Sequence, residues 1–122
     1  MPKIKIDDDV SVVLPDKLKH LKAKKLPKGP RPPKGRLVSA FMIYHPDDPD
    51  KELMKFEEAF ELRVRYTHAD ELRAGEEPLQ IQYDAGKGWK LLETKLEPNG
   101  GGNGGIGVAI VTAWDPQIGW FP

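Results

Sequence analysis

The sequence predicts a mostly β fold: a single antiparallel β-sandwich carrying an extended basic N-terminal arm. Three observations predict it. Phe60, Leu62, Val64 and Tyr66 alternate with Glu61, Arg63 and Arg65, and Leu79, Ile81 and Tyr83 alternate with Gln80 and Gln82. Period two puts one face in water and one in a core, the signature of a half-buried strand. Six or seven such short segments are separated by Gly, Pro, Asn and Asp, a spacing that favours a sandwich or small barrel over a βαβ fold. From Asp16 to Arg36 the chain carries nine basic residues and one acid, a net +8, which leaves −8 on the rest because the whole chain is neutral.

Residues 10–14 read as a first short strand that ends at Pro15, after which Asp16 caps a short helix with Leu18 and Leu21 on one side. Pro27 stops any helix, and Pro-Lys-Gly-Pro-Arg-Pro-Pro-Lys-Gly over 27–35 is the composition of an extended linker. The expected division is therefore a strand and basic arm over residues 1–35 and a sandwich body over 36–122. Residues 37–44 form a nearly continuous apolar run, as suits a strand covered on both faces. His45 to Lys51 is an acidic loop with two prolines, and residues 52–58 fit either a helical turn or an irregular crossover. The run 79–92, with its turn at Asp84 to Gly88, predicts a hairpin that leads through Trp89 into the next strand. The glycine-rich stretch 98–105 predicts a mobile loop, Ile106 to Trp114 a second strand apolar on both faces, and Ile118 to Phe121 a final edge strand.

Residues 56–114 resemble the later part of bacterial immunoglobulin-like sandwich modules. The likeness lies in Phe60-Glu-Leu-Arg-Val-Arg-Tyr66, then Leu79-Gln-Ile-Gln-Tyr83, then Gly88-Trp89-Lys-Leu-Leu92 and a last apolar strand. A tyrosine-ended strand is followed by a hairpin carrying a tryptophan. The resemblance covers about half the chain, lacks the cysteine pair of true immunoglobulin domains, and implies the fold without transferring any functional residue.

Composition excludes several chemistries. Without cysteine there is no disulfide, thiolate nucleophile or cysteine-ligated zinc. The two serines, Ser11 and Ser39, sit in strand-like runs and not in a Gly-x-Ser-x-Gly turn. His20, His45 and His68 lack ligand spacing, and the acids around Asp47 to Asp50 lack the pattern of a calcium loop, so solvated loops are the expected reading of both. The glycine run leads into a strand instead of a helix and is not followed by Lys-Ser/Thr, so it is not read as a phosphate cradle. No enzyme activity, cofactor or metal is expected. No leader-like apolar segment precedes Asp7, and no run is long enough to span a bilayer, so a soluble protein with the cytoplasm as default location is expected.

Two surfaces remain as candidates. Lys19, Lys22, Lys24, Lys25, Lys28 and Arg31 form a basic arm able to dock on an acidic protein surface, on the chain's own body, or on a polyanion. Trp120 and Phe121, close to the C-terminus and harder to bury there, are read as caps on one end of the sandwich or as anchors on a neighbouring chain, and Trp89 as a residue able to stack on sugar rings. The expected function is a non-enzymatic interaction or assembly module that docks on a protein partner or on copies of itself. The alternative is a polysaccharide- or nucleic-acid-binding module.

Overall fold

The computed structural model describes residues 3–29, 31–51, 53, 55–84, 88–99, 104–113 and 117–122. Among these the chain forms strands β1 (Lys3–Lys5), β2 (Val10–Val13), β3 (Lys22–Lys25), β4 (Arg36–Tyr44), β5 (Lys55–Tyr66), β6 (Gln80–Asp84), β7 (Lys90–Leu91), β8 (Lys95–Pro98), β9 (Gly105–Ala113) and β10 (Gln117–Phe121). A 3-10 turn spans Asp16–Leu18, and one helix, α1, spans His68–Ala74. One sheet runs β1-β2-β5-β9-β8 and the other β3-β4-β10-β6-β7, with every pairing antiparallel. Each sheet thus holds one central strand, β5 or β10, between two hairpins. This is the predicted β-sandwich.

Alternation along β5 resolves as pleat geometry requires. Phe60, Leu62, Val64 and Tyr66 are buried, whereas Glu61 and Arg63 are half-buried and Arg65 is exposed. The core adds Val10, Val12, Ala109 and Val111 from the same sheet, Leu14 just after β2, and Phe41, Ile43, Ile81, Ile118 and Trp120 from the facing sheet. The ambiguous stretch 52–58 resolves as strand from Lys55 onward; Glu52 and Met54 lie outside the described residues. The 79–92 hairpin forms as β6 and β7, paired Gln82 to Leu91 and Tyr83 to Lys90.

Four expectations need correction. The boundary at residue 36 does not divide the fold: β1 and β2 belong to the first sheet and β3 is an edge of the second. Leu18 and Leu21 are buried in the common core, so the start of the basic segment is held by apolar burial despite its lysines. The remainder, 26–35, is no free arm. Leu26 N–H donates to the Ala40 carbonyl (2.8 Å), Gly29 N–H to Gln117 Oε1 (2.9 Å), and Gln82 Nε2 to the Lys34 carbonyl (2.8 Å). These contacts fall in turn on β4, β10 and β6, so the segment is a strap across the outer face of the second sheet, with Pro32 buried. It explains why residues 38–43 of β4 are all buried, and why Gln82, expected to be wet, is buried with its amide also donating to the Trp120 carbonyl (2.8 Å). Gly35 closes the strap at φ +105°, a left-handed conformation, with a Cβ position that would overlap the Trp120 carbonyl oxygen.

The third correction concerns β10, which is not an edge strand: it pairs with β4 on one side and β6 on the other. Its Trp120 has no exposed surface. The indole packs edge-on to Tyr66 (5.6 Å between centroids), and Nε1–H donates to the Arg65 carbonyl (2.9 Å), satisfying the buried polar atom across the sandwich. The fourth is β9, whose second face is not covered: Ile110 is 66 % exposed while Ala109 and Val111 are buried. Trp114, the predicted end of this strand, lies outside the described residues, as do residues 100–103 of the glycine-rich stretch.

Helix α1 and strand β8 were not legible in the alternation. α1 begins with a capping box in which Asp70 N–H bonds the Thr67 hydroxyl and Thr67 N–H bonds the Asp70 carboxylate. That same carboxylate, fully buried, takes two bonds from Arg36 (2.8 and 2.7 Å) and one from Arg73 (2.8 Å), while Arg73 Nε also donates to the Pro122 carbonyl (3.0 Å). One carboxylate so ties together the start of β4, the helix and the chain's C-terminal residue. Burial pushes the Asp70 carboxyl up, but the Arg36, Thr67 and Arg73 hydrogen bonds outweigh it and hold it at about 2, below its usual 3.8.

Two outcomes are expected. The Asp70 charge stabilises the fold in full above about pH 4, and its contribution, about 2 kcal/mol, disappears as pH falls through 2. Acid denaturation followed by circular dichroism should therefore show a loss of stability between pH 4 and 2 that is blunted in Asp70→Asn. Gly107 faces the indole so closely that a Cβ there would overlap Trp120 Cη2. Gly107→Ala should cost about 1–3 kcal/mol in urea unfolding, the usual cost of overpacking a core.

Candidate functional site

The six predicted basic residues do not converge on one site. Lys19 is exposed after the 3-10 turn, Lys22, Lys24 and Lys25 lie on edge strand β3, and Lys28 and Arg31 are exposed on the strap. Two of them are engaged within the chain: Lys25 Nζ lies 3.6 Å from Asp7, and Lys24 Nζ lies 5.7 Å from the centre of the Tyr44 ring. Their neighbours do the same, Lys17 with Glu58 (3.3 Å), Lys34 with Glu77 (3.8 Å) and with the Phe121 ring (5.2 Å), and Arg36 with Asp70. The basic segment thus meets acids of the body at four places. Apart from Arg36–Asp70, whose carboxylate is buried, these pairs reach solvent and add little stability each, but together they fix where the segment lies. Asp7 is half-buried: burial alone would raise its pKa, but the Ser39 hydroxyl (2.7 Å), the Asp9 N–H (2.8 Å) and Lys25 bring it below its ordinary value.

The edges of both sheets share a feature. β1 carries Lys3 and Lys5, β3 carries Lys22, Lys24 and Lys25, β7 carries Lys90 and β8 carries Lys95, and none is longer than four residues. Short strands bearing lysine resist pairing with a strand of another chain, because docking there would desolvate and crowd the charges. The lysine run is thus spread along a sheet edge and beside acids of the same chain instead of lining one groove.

Of the predicted aromatic anchors, Trp120 is buried and unavailable to a partner, Phe121 is half-buried under Lys34, and Trp89 is half-buried just before β7. No element holds these three side chains in one row. Of the histidines, His45 lies against His20 (5.2 Å between ring centroids), and its Nδ1 accepts from Asp47 N–H (3.1 Å). Among the described residues no group of three or more His, Asp or Glu is placed to hold a metal ion, and no helix is long and apolar enough to cross a membrane.

The surface that sequence reasoning missed is the outer face of the first sheet. The pairing registers stack its outward residues in rows: Lys3, Val13, Glu61, Ile110; then Lys5, Ser11, Arg63, Val108, Lys95; then Arg65, Ile106, Glu97. Along β9 this makes an apolar stripe of Ile106, Val108 and Ile110 bordered by charge on both sides. Arg63 reaches over β9 to donate to Glu97 Oε1 (2.8 Å) and also contacts Glu61 (3.4 Å). Partial burial would lower the Arg63 pKa, but the bonds and charges of Glu97 and Glu61 raise it, so its charge is permanent. A shallow groove of about 350 Å³, lined by Lys3, Lys5, Arg65 and Ile106 among others, lies on the β1 side. A second of about 340 Å³, lined by Glu93, Thr94, Lys95, Val108 and Ile110, lies on the β8 side. One signal for this face was present in the chain: along 106–110 large residues alternate with Gly107 and Ala109, and these two small ones face inward.

Comparison with protein-family models, with curated proteins and with solved structures found no match to this chain.

If the lysines of β3 protect an edge, Lys22→Thr with Lys24→Thr should leave the fold intact and promote concentration-dependent aggregation. Light scattering of the double variant beside the parent chain reads this directly. A variant as soluble as the parent would refute edge protection.

Proposed function

We propose that this chain is a non-enzymatic interaction module that docks a protein partner through the outer face of its first sheet. The observation that carries the reading is the unequal covering of the two sheets. The strap covers the outer face of the second sheet over β4, β10 and β6, leaving Leu91 on edge strand β7 48 % exposed, whereas the central part of the first sheet leaves Ile110 66 % exposed at the end of an apolar stripe. Ile106 and Val108 continue the stripe, half-buried, with Arg63 lying across it. An apolar centre, an arginine laid flat over it and a charged rim are the composition of protein–protein interfaces. Polyanion binding is less well served, because the basic segment spends charge on Asp7, Glu58, Glu77 and Asp70.

The test is affinity capture from an extract of the source cells with the full chain, with Ile110→Asp, and with Lys19, Lys28 and Arg31 changed to Glu. Ile110 is exposed enough that Asp there should cost under about 1 kcal/mol of stability, which circular dichroism checks. Captured protein, including added copies of the chain itself, should be lost with Ile110→Asp and kept with the lysine and arginine changes. Capture that ignores Ile110 but fails without the basic residues would overturn this surface in favour of the basic segment.

A further inference from the structure

The same face has a property that selects its occupant. We infer that it docks on a second copy of this chain, as a two-fold dimer whose axis runs parallel to β9. This rests on the docking face described above and goes further by naming the partner.

The argument begins with the row Arg65, Ile106, Glu97. Arg65 on β5 and Glu97 on β8 stand on opposite sides of β9 at one level, each directly paired with Ile106. Two sheets stacked face to face about an axis along β9 lay one stripe of Ile106, Val108 and Ile110 on the other. The same rotation carries the β5 side of one copy over the β8 side of its mate. Arg65 of each copy then faces Glu97 of the other, and the pair occurs twice because a two-fold contact uses one patch on both subunits. In the single chain Arg65 is exposed, and the Glu97 side chain is 47 % exposed while it holds Arg63. Both have room to accept a further partner.

The neighbouring rows are compatible with this arrangement. The Val108 row brings Arg63 opposite Lys95, but Arg63 is already neutralised by Glu61 and Glu97 within its own chain. Lys95 lies one row from Glu61 on the mate, so these opposite charges are diagonal neighbours across the contact.

Two further facts favour a second copy as the occupant. The chain has no net charge, with 19 basic and 19 acidic residues, so two copies approach without long-range repulsion. Lysine on all four edge strands disfavours growth of either sheet by edge pairing, which leaves face-to-face contact as the route to self-association.

Sedimentation velocity of the full chain, from about 1 μM to about 1 mM at low salt, tests the dimer over the range of weak to moderate affinities. A monomer–dimer equilibrium is expected. Arg65→Glu and Glu97→Arg should each weaken it by about tenfold or more, and the double charge swap should restore it to near the parent value. Restoration also shows that the single variants had not merely unfolded. Ile110→Asp should abolish the dimer.

A chain that stays monomeric throughout overturns the inference, as does a dimer indifferent to Ile110 or to the charge swap. In the monomeric case the capture assay separates the two readings. Ile110-dependent capture of a different protein leaves the docking face standing with a foreign partner, whereas no Ile110-dependent capture removes the docking face as well.

Discussion

Burial of the Trp120 indole sets the arrangement of much of the molecule around it. A side chain of that size on the central strand of one sheet needs space from the other, and β9 supplies it with Gly107 against the ring. The indole N–H crosses to the Arg65 carbonyl, so the two sheets are joined by a hydrogen bond as well as by apolar contact. Because the inward positions at Gly107 and Ala109 are small, the bulk of that stretch of β9 points outward as Ile106, Val108 and Ile110. The exposed stripe is thus a consequence of how the core is filled.

The two outer faces are treated oppositely by the rest of the chain. Over the second sheet the strap lays proline-rich backbone on β4, β10 and β6 and satisfies the buried Gln82 amide with the carbonyls of Lys34 and Trp120. Over the first sheet the described residues place only the Glu61–Arg63–Glu97 chain of charges. Lysines stand at the edges of both sheets, where such charges discourage strand pairing.

The ends of the sandwich are closed by carboxylates. Asp70 gathers Arg36, Arg73 and the Thr67 backbone, and through Arg73 reaches the Pro122 carbonyl. Asp7 accepts from the buried Ser39 hydroxyl and lies near Lys25, tying the β1–β2 turn to the second sheet. Both acids are held below their ordinary pKa values, so each contributes most where it is ionised. Isolated in sequence, neither could be told from the chain's other acids, because what singles them out is the partners that folding brings to them from 32 and 34 residues away.

Strand identity was legible wherever local pattern suffices. The alternation at 60–66 named the buried side of β5 residue by residue, the unbroken run at 37–44 announced a strand covered on both faces, and the glycine-bearing turn after Asp84 announced the β6–β7 hairpin. α1 escaped because seven residues with one buried apolar side chain carry no helical stripe, and its capping box rests on a buried Asp. The candidate face escaped because Ile106 to Ile110 reads the same whether one side of the strand or both are covered. Pleat geometry acts between adjacent residues, and so the sequence by itself determined where strands run and which of their side chains can share a core. Which strand lies central or at an edge, which sheet receives the strap, and whether Trp120 is buried or displayed depend on contacts between segments far apart in the chain. Those contacts exist only once the two sheets have closed on each other, and only the tertiary structure decided them.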